Sequence, residues 1–109
     1  GGDRDQTKRE IMGNIASKYA NKIYVTDDNP RSENPKEIRR DIMKSCSNAI
    51  EIGDRAKAIN VAVSELDTND ILLIAGKGHE TNQIYKNNVK NFDDRYELKK
   101  ALKSLGDCN

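Results

Sequence analysis

The chain has 109 residues, 34% of them charged and 35% hydrophobic, so its length and composition predict one domain with one modest core. Its 19 Lys and Arg residues nearly balance its 18 Asp and Glu residues, and the net charge of +1 argues against a nucleic-acid or membrane-surface binder. No apolar run approaches the roughly 18 residues of a membrane span, and no signal peptide opens the chain, which favours a cytoplasmic protein. Cys46 and Cys108 lie far apart, with no cysteine or histidine at metal-ligand spacing, which argues against a metal site.

The first predicted elements in chain order are a helix over residues 8–20 and a strand over residues 22–26. Thr7 and Glu10 have the spacing of a capping box. Residues 22–26 are rich in β-branched and aromatic side chains, and turn formers follow at 27–30. At helical intervals, the apolar stripe of the helix comprises Ile11, Met12, Ile15, Ala16 and Tyr19.

Two further helices are predicted, separated by residues 50–52, which are long enough for a short strand only. Asn34 and Pro35 are typical of the N-cap and the first position of a helix, and Asp54 precedes the next helix. The apolar faces of these two helices comprise Ile38, Ile42, Met43 and Cys46 in the first, and Ala56, Ile59, Ala62, Val63 and Leu66 in the second.

Residues 71–75 form the clearest strand signal, an unbroken apolar run that predicts a central parallel strand covered on both faces. Residues 81–92 are compatible with one or two short strands. A last helix is predicted to start at Asp94, with Glu97 as its capping-box partner and Gly106 as its end. The alternation of strands and helices predicts an α/β fold with right-handed crossovers.

Ligands of such sheets bind beyond the carboxyl ends of the strands, and the polar segment 27–31 lies at one of these ends. Arg31 offers a planar fork that grips a carboxylate or phosphate, and Asp28 could receive an ammonium group. An anion-binding side chain beside one that accepts an ammonium group would match the two charges of a zwitterionic amino acid. A turn whose Asp and Asn side chains cap their own backbone explains these residues equally well.

A second polar segment, Gly-Lys-Gly-His-Glu, occupies residues 76–80. Its glycines would let the backbone approach a ligand closely. It is neither a dinucleotide fingerprint, because Thr81 replaces the third glycine, nor a Walker-A loop, because Gly78 follows Lys77. A tight strand-exit turn with solvated side chains is the equal alternative. His79 has no serine or cysteine partner at suggestive spacing, which argues against a catalytic role.

A third polar segment precedes the first helix. Arg4 could join Arg31 around the carboxylates of a ligand, and a solvated terminus is the alternative. Lys8 and Arg9 are placed unfavourably for the helix dipole, which a nearby anion would explain; simple solvation of both side chains is the alternative.

Taken in order, these segments resemble the C-terminal domain of the Mur ligase family over essentially all 109 residues. The motifs are Gly-Gly-Asp-Arg-Asp at 1–5, Lys8-Arg9, Asp-Asn-Pro-Arg at 28–31, Gly-Lys-Gly-His-Glu at 76–80 and Phe-Asp-Asp-Arg at 92–95. The Asp-Asn-Pro-Arg form resembles the branch of the family that adds meso-2,6-diaminopimelate. The resemblance implies a Rossmann-like, mostly parallel sheet flanked by helices, in one truncated domain, residues 1–109, that lacks the family's first strand.

The same resemblance implies an ATP-dependent, amide-forming ligase of peptidoglycan synthesis. In this family the carboxyl group of a UDP-linked muramoyl dipeptide is activated as an acyl phosphate, which the amine of the third amino acid attacks. The C-terminal domain holds the incoming amino acid. ATP, Mg²⁺ and the UDP-linked substrate are expected to bind mainly to domains absent from this chain, which alone should bind without catalysing and should have no catalytic residue, metal, nucleic-acid partner or membrane partner.

The resemblance also implies a set of substrate-binding residues. Meso-diaminopimelate is lysine with one more carboxylate, which Arg31 is suited to bind, while Asp28 and Glu80 can take the distal ammonium. Asp3 is expected near the nucleotide. The residues implied to line the diaminopimelate pocket are Arg4, Asp28, Asn29, Pro30, Arg31, Gly76 and Glu80.

Two alternative functions remain open at this point. One is the lysine-adding relative of the same ligase, which position 31 would distinguish. The other is a non-catalytic α/β module of a different class, either receiver-like or small-molecule-binding. For a receiver domain Asp27, Asp28 and Lys77 fit loosely, but residues 50–52 are followed by no acceptor aspartate other than Asp54.

Overall fold

The structure, a computed structural model, describes residue 2, residues 6–77 and residues 80–107. Four helices and two small sheets make up these described ranges. In chain order the elements are α1 (Thr7–Tyr19), β1 (Tyr24–Val25), α2 (Pro35–Met43), β2 (Ile50–Glu51), α3 (Arg55–Ser64), β3 (Asn82–Tyr85), β4 (Asn88–Asn91) and α4 (Asp94–Asp107). None of these described helices is long and apolar enough to cross a membrane.

The two sheets differ in strand direction. β1 and β2 are parallel, with Tyr24 opposite Ile50, whereas β3 and β4 form an antiparallel hairpin. A bridge between Arg31 and Tyr85 links the loop after β1 to the hairpin. The α/β class is confirmed, with helices packed beside a parallel strand pair, and residues 81–92 hold the two short strands that the sequence allowed.

The strand predicted at residues 71–75 is wrong. In the part of the chain that the structure describes, this run pairs with no strand, and Ile71 and Leu73 are 93% and 83% exposed. Leu72 and Ile74 instead pack against the core. An apolar run specifies burial but not a hydrogen-bonding neighbour, and here only one side of the run meets the core.

The hydrophobic core lies between α3 and α4. Its buried members are Ile59, Val63 and Ala101, and the partly buried side chains packed against them are Leu72, Ile74, Phe92 and Leu98. The predicted N-caps of the two central helices are confirmed. Asn34 accepts a hydrogen bond from the Lys36 amide at 2.9 Å, and Asp54 accepts one from the Lys57 amide at 3.2 Å.

Helix α1 differs from its prediction. Gln6 occupies the N-cap and makes no side-chain cap, so the predicted capping box is wrong. The apolar stripe faces solvent, since Ile11, Met12, Ile15 and Tyr19 are exposed. Gly13 is buried instead, and it lies so close to α2 that a Cβ at this position would be 2.7 Å from the Ile42 carbonyl oxygen. The helix therefore approaches α2 through its smallest residue.

Arg9 is also buried on this inner side of α1. Its Nη2 lies 2.7 Å from Glu33 Oε2, and its Nη1 lies 2.9 Å from Asp41 Oδ2. These two carboxylates are nearby anions of the kind that would explain a basic residue at the start of a helix.

Helix α4 starts at Asp94, as predicted, but Asp94 does not cap it. The Asp93 carboxylate accepts from the Arg95 amide at 2.9 Å, whereas the Asp94 carboxylate binds the Arg55 side chain. Gly106 does not end the helix, which continues to Asp107. Glycine permits a left-handed end without requiring one.

Candidate functional site

The first candidate loop comprises residues 26–31, directly after β1. The Asp27 amide donates to the Gly53 carbonyl at 3.2 Å, which ties the loop to the end of β2. Asn29 is buried, and its Oδ1 accepts a hydrogen bond from the Ile84 amide at 2.9 Å. The carboxyl ends of the parallel strands and the β3–β4 hairpin therefore hold the loop from two sides.

Arg31 ends this loop in an unusual backbone conformation. Its φ of 54° lies in the left-handed region, which is uncommon for a residue with a side chain. The Arg31 amide donates to the Ile84 carbonyl at 2.9 Å. Its Nη1 donates to the Gly2 carbonyl at 3.0 Å and to the Asn29 carbonyl at 3.4 Å. Backbone strain held in place by surrounding contacts often accompanies function.

The second candidate loop begins at Gly76 and contacts the first. Gly76 has a φ of 106°, which glycine adopts without steric cost. Lys77 is buried, and its Nζ lies 3.2 Å from Asp28 Oδ1. Asn29 Nδ2 donates to Glu80 Oε2 at 3.2 Å. One ion pair and one hydrogen bond thus join the two loops.

The structure brings most of the predicted binding residues into these adjoining loops, and their role in binding stays a prediction. The residues placed there are Asp28, Asn29, Pro30, Arg31, Gly76 and Glu80. The predicted Arg4 and Asp3 lie outside the described residues, as do Gly78 and His79. Among the described side chains, no group of three histidines, cysteines or carboxylates could hold a metal ion.

Arg55 is a central residue of this region that the sequence reasoning missed. Its Nη1 donates to the Asp27 carbonyl at 3.1 Å, and its Nη2 donates to the Ala75 carbonyl at 3.2 Å. Asp94 accepts from Nε and Nη2, each at 2.7 Å. One guanidinium therefore anchors both Asp27 of the first loop and Ala75, just before the second loop, to α4. The sequence did contain a signal that Arg55 faces inward. Arg55 lies four residues before the core residue Ile59, and that spacing places both side chains on one face of α3.

The Asp27 carboxylate lies behind the first loop in a buried polar cluster. It pairs with the Arg39 guanidinium, which also reaches Glu51 Oε2 at 2.8 Å. The Tyr85 hydroxyl donates to Asp27 Oδ2 at 3.1 Å. Burial and the nearby Asp27 charge raise the pKa of Tyr85 to about 12, because both disfavour a phenolate.

A cavity of about 520 Å³ adjoins this cluster at the start of α3. Asp27 of the first loop lines this cavity, but none of the predicted binding residues in the described ranges does. Its lining residues are Asp27, Gly53, Asp54, Arg55, Ala56, Gln83, Tyr85, Lys90, Phe92 and Glu97.

Comparison with known proteins identifies the family. The family profile described as "Mur ligase, glutamate ligase domain" matches residues 1–78. The chain belongs to this family. The resemblance inferred from the motifs is thereby confirmed, and the receiver-like alternative loses its support.

Individual Mur ligases match nearly the whole chain. A Rhizobium meliloti (strain 1021) protein named UDP-N-acetylmuramoyl-L-alanyl-D-glutamate--2,6-diaminopimelate ligase is 54% identical over 105 residues, which are 96% of this chain and 22% of that protein. An Anaplasma marginale (strain St. Maries) protein of the same name is 52% identical over 106 residues, again 96% of this chain and 22% of the relative. The chain therefore spans about a fifth of the length of these curated relatives.

A solved structure of a ligase with the same name superposes on the chain with a TM-score of 0.88. The two are 38% identical, and the match covers 97% of this chain and 23% of that one. The chain thus has the fold of one segment of a Mur ligase.

Proposed function

We propose that this chain is the acceptor-amino-acid domain of an ATP-dependent ligase that adds meso-2,6-diaminopimelate to UDP-N-acetylmuramoyl-L-alanyl-D-glutamate. The domain comprises residues 1–109 and corresponds to the C-terminal domain of the family without its first strand. The relatives that carry the name of this ligase, at 52–54% identity, support the choice of substrate.

The observation that carries the proposal is the joining of the two motif loops. Asn29 and Glu80 are 51 residues apart in sequence, yet Asn29 Nδ2 donates to Glu80 Oε2 at 3.2 Å. The same contact region contains the acidic Asp28 and the basic Arg31. The two joined loops thus carry two carboxylates and one guanidinium, which provide partners for both charges of an amino acid, because each charge of a sequestered ligand requires its own counter-charge.

Arg31 is the residue that would select diaminopimelate over lysine. A guanidinium binds a carboxylate through two parallel hydrogen bonds. Lysine would leave this guanidinium without its anionic partner, and a site built for a charged group discriminates strongly against a ligand that lacks it. Asp28 and Glu80 would receive the distal ammonium of the substrate.

The described side chains offer no metal-binding cluster, and we assign no chemical step with ATP or Mg²⁺ to them. In the proposal these ligands and the UDP-linked substrate bind mainly to other domains of the ligase. Because the reaction consumes ATP and a UDP-linked precursor, we infer that it takes place in the cytoplasm, with neither a nucleic acid nor a membrane as partner.

Replacing Arg31 by alanine in the full-length ligase that carries this domain tests the proposal. We expect the apparent affinity for meso-diaminopimelate to fall by the equivalent of about 2–5 kcal/mol, because the substrate carboxylate is left unpaired. The KM for each amino acid, meso-diaminopimelate and L-lysine, is measured in a product-formation assay. Arg40→Ala, which alters an exposed arginine of α2, is the matched control. Unchanged affinity in Arg31→Ala would exclude the role of Arg31, and turnover of L-lysine by the unaltered ligase would favour the lysine-adding alternative.

A further inference from the structure

Lys77 is a buried charge that the proposed function does not use. Its side chain is 0% exposed, and a buried ammonium is unfavourable unless it is paired and hydrogen-bonded. Both conditions are met. Lys77 Nζ donates to the Asn82 carbonyl and lies 3.2 Å from Asp28 Oδ1.

The two oxygens of Asp28 have different surroundings. Oδ1 is inaccessible to solvent and accepts no hydrogen bond, and its contact with the Lys77 ammonium is an ion pair at 3.2 Å. Oδ2 points toward Gly76, where a Cβ would stand 3.5 Å from it. The Asp28 side chain as a whole is 22% exposed, and this exposure is not on Oδ1. The Lys77 ammonium therefore lies beside Oδ1, the inner oxygen, while Oδ2, the outer oxygen, lies beside the turn at Gly76.

A carboxylate can serve two cations at once, because its two oxygens offer about four acceptor positions. If Asp28 receives the distal ammonium of the substrate, as in the proposed function, the inner cation decides where the outer oxygen points. Without that cation the carboxylate would be free to rotate about its side-chain bonds, and a rotated acceptor forms a weaker, misaligned hydrogen bond.

We propose that Lys77 is a positioning residue for substrate selection: its buried ammonium fixes Oδ1 of Asp28 so that Oδ2 is presented to the distal ammonium of the amino acid. This inference rests on the proposed function. Lys77 does not contact the substrate, and it acts only through Asp28. A purely structural role, in which Lys77 merely links the second loop to β3 through the Asn82 carbonyl, is the competing explanation.

The test compares two substrates that differ only in the distal amine. The full-length ligase is assayed with meso-diaminopimelate and with 2-aminopimelate, which lacks that amine but keeps the attacking amine and both carboxylates. The unaltered enzyme should prefer diaminopimelate in KM by about a hundredfold, since the analogue leaves the acidic partners of the distal ammonium unpaired. In Lys77→Met this preference should fall by at least about tenfold, the effect expected when the hydrogen bond from the substrate's distal ammonium to the Asp28 carboxylate is misaligned.

Two further variants make the comparison specific. Lys77→Gln can still donate to the Asn82 carbonyl but carries no charge beside Asp28, and it should lose the same discrimination even where Lys77→Met does not fold. Lys86→Met alters an exposed lysine in the β3–β4 turn and should keep the full preference.

The outcomes separate this inference from the proposed function. An equal rise of both KM values in the Lys77 variants, with the preference unchanged, would overturn the positioning role and leave the proposed function standing. An unaltered enzyme that uses neither substrate would overturn both proposals. A reduced preference, with kcat for diaminopimelate within about twofold of the unaltered enzyme, would support the positioning role. An interaction that binds the substrate equally in the ground state and the transition state changes KM and leaves kcat unaltered.

Discussion

The loops of the candidate site and helix α1 are opposite in what they bury. Asp27, Asn29 and Lys77 are polar or charged, and all three are buried in or beside the loops. The apolar Ile11 and Ile15 of α1 are exposed. The geometry of the site therefore depends on hydrogen bonds and ion pairs, whereas α1 contacts the rest of the chain through Gly13 and the paired Arg9.

This difference has a physical consequence. Hydrogen bonds and ion pairs are directional, so a buried polar network holds loops in one arrangement where apolar contacts would tolerate several. The same network is sensitive to the loss of any one member, since the remaining groups become buried and unpaired. Substitutions near the loops should therefore be far more damaging than substitutions on the exposed apolar surface.

The largest effect is expected for Arg55→Ala. Removing this guanidinium leaves the buried Asp94 carboxylate without its partner and the Asp27 and Ala75 carbonyls without a donor. The free energy of unfolding should fall by about 3–5 kcal/mol, as for one member of a buried ion pair. Urea denaturation measures the change. Arg95→Ala, in which an exposed arginine is lost, should stay within about 0.5 kcal/mol of the unaltered chain. Similar losses in the two variants would contradict the anchoring role of Arg55.

A smaller effect is expected from a pair of neighbouring leucines. Leu72 packs against the core, whereas Leu73 is 83% exposed. Leu72→Ala should lower the free energy of unfolding by about 1–3 kcal/mol, less than for a fully buried leucine, and Leu73→Ala should change it by less than about 0.5 kcal/mol. The same urea experiment compares them. Equal losses would mean that both faces of residues 71–75 are covered, as the sequence predicted.

The smallest effect concerns alkaline pH. The folded chain raises the pKa of Tyr85 from 10.0 to about 12, so the folded state holds the phenolic proton more tightly than the unfolded state does. This contribution to stability is present below about pH 10 and is lost as the pH rises toward 12. We expect the free energy of unfolding of the chain to decline over this pH interval. Urea denaturation at a series of pH values measures the decline.

Two variants test whether Tyr85 causes that decline in stability. Tyr85→Phe should remove the part of it that comes from the phenol, whereas Tyr19→Phe, on the exposed face of α1, should leave it in place. An unchanged alkaline decline in Tyr85→Phe would show that Asp27 and burial do not control this hydroxyl.

Much of the local structure could be predicted because it depends on neighbours in sequence. Asn34 and Asp54 cap α2 and α3 as predicted, since a cap involves residues two or three positions apart. The motif loops were identified from residue types alone. The burial of Lys77 was not predicted, because the alternative of solvated side chains fitted the same residues equally well. Its partner Asp28 lies in another loop, which no local pattern relates to it.

The sequence by itself determined the α/β class and the helix starts of α2 and α3, because these follow from local spacing and from residue chemistry. It also indicated the family, through the resemblance of its ordered motifs. Only the tertiary structure decided which charges and which apolar residues are buried. Arg55 meets Asp94 across 39 residues, and Asn29 meets Glu80 across 51. Burial and pairing arise from such distant partners, so Arg55 became an anchor of the core while Ile71 and Leu73 remained exposed.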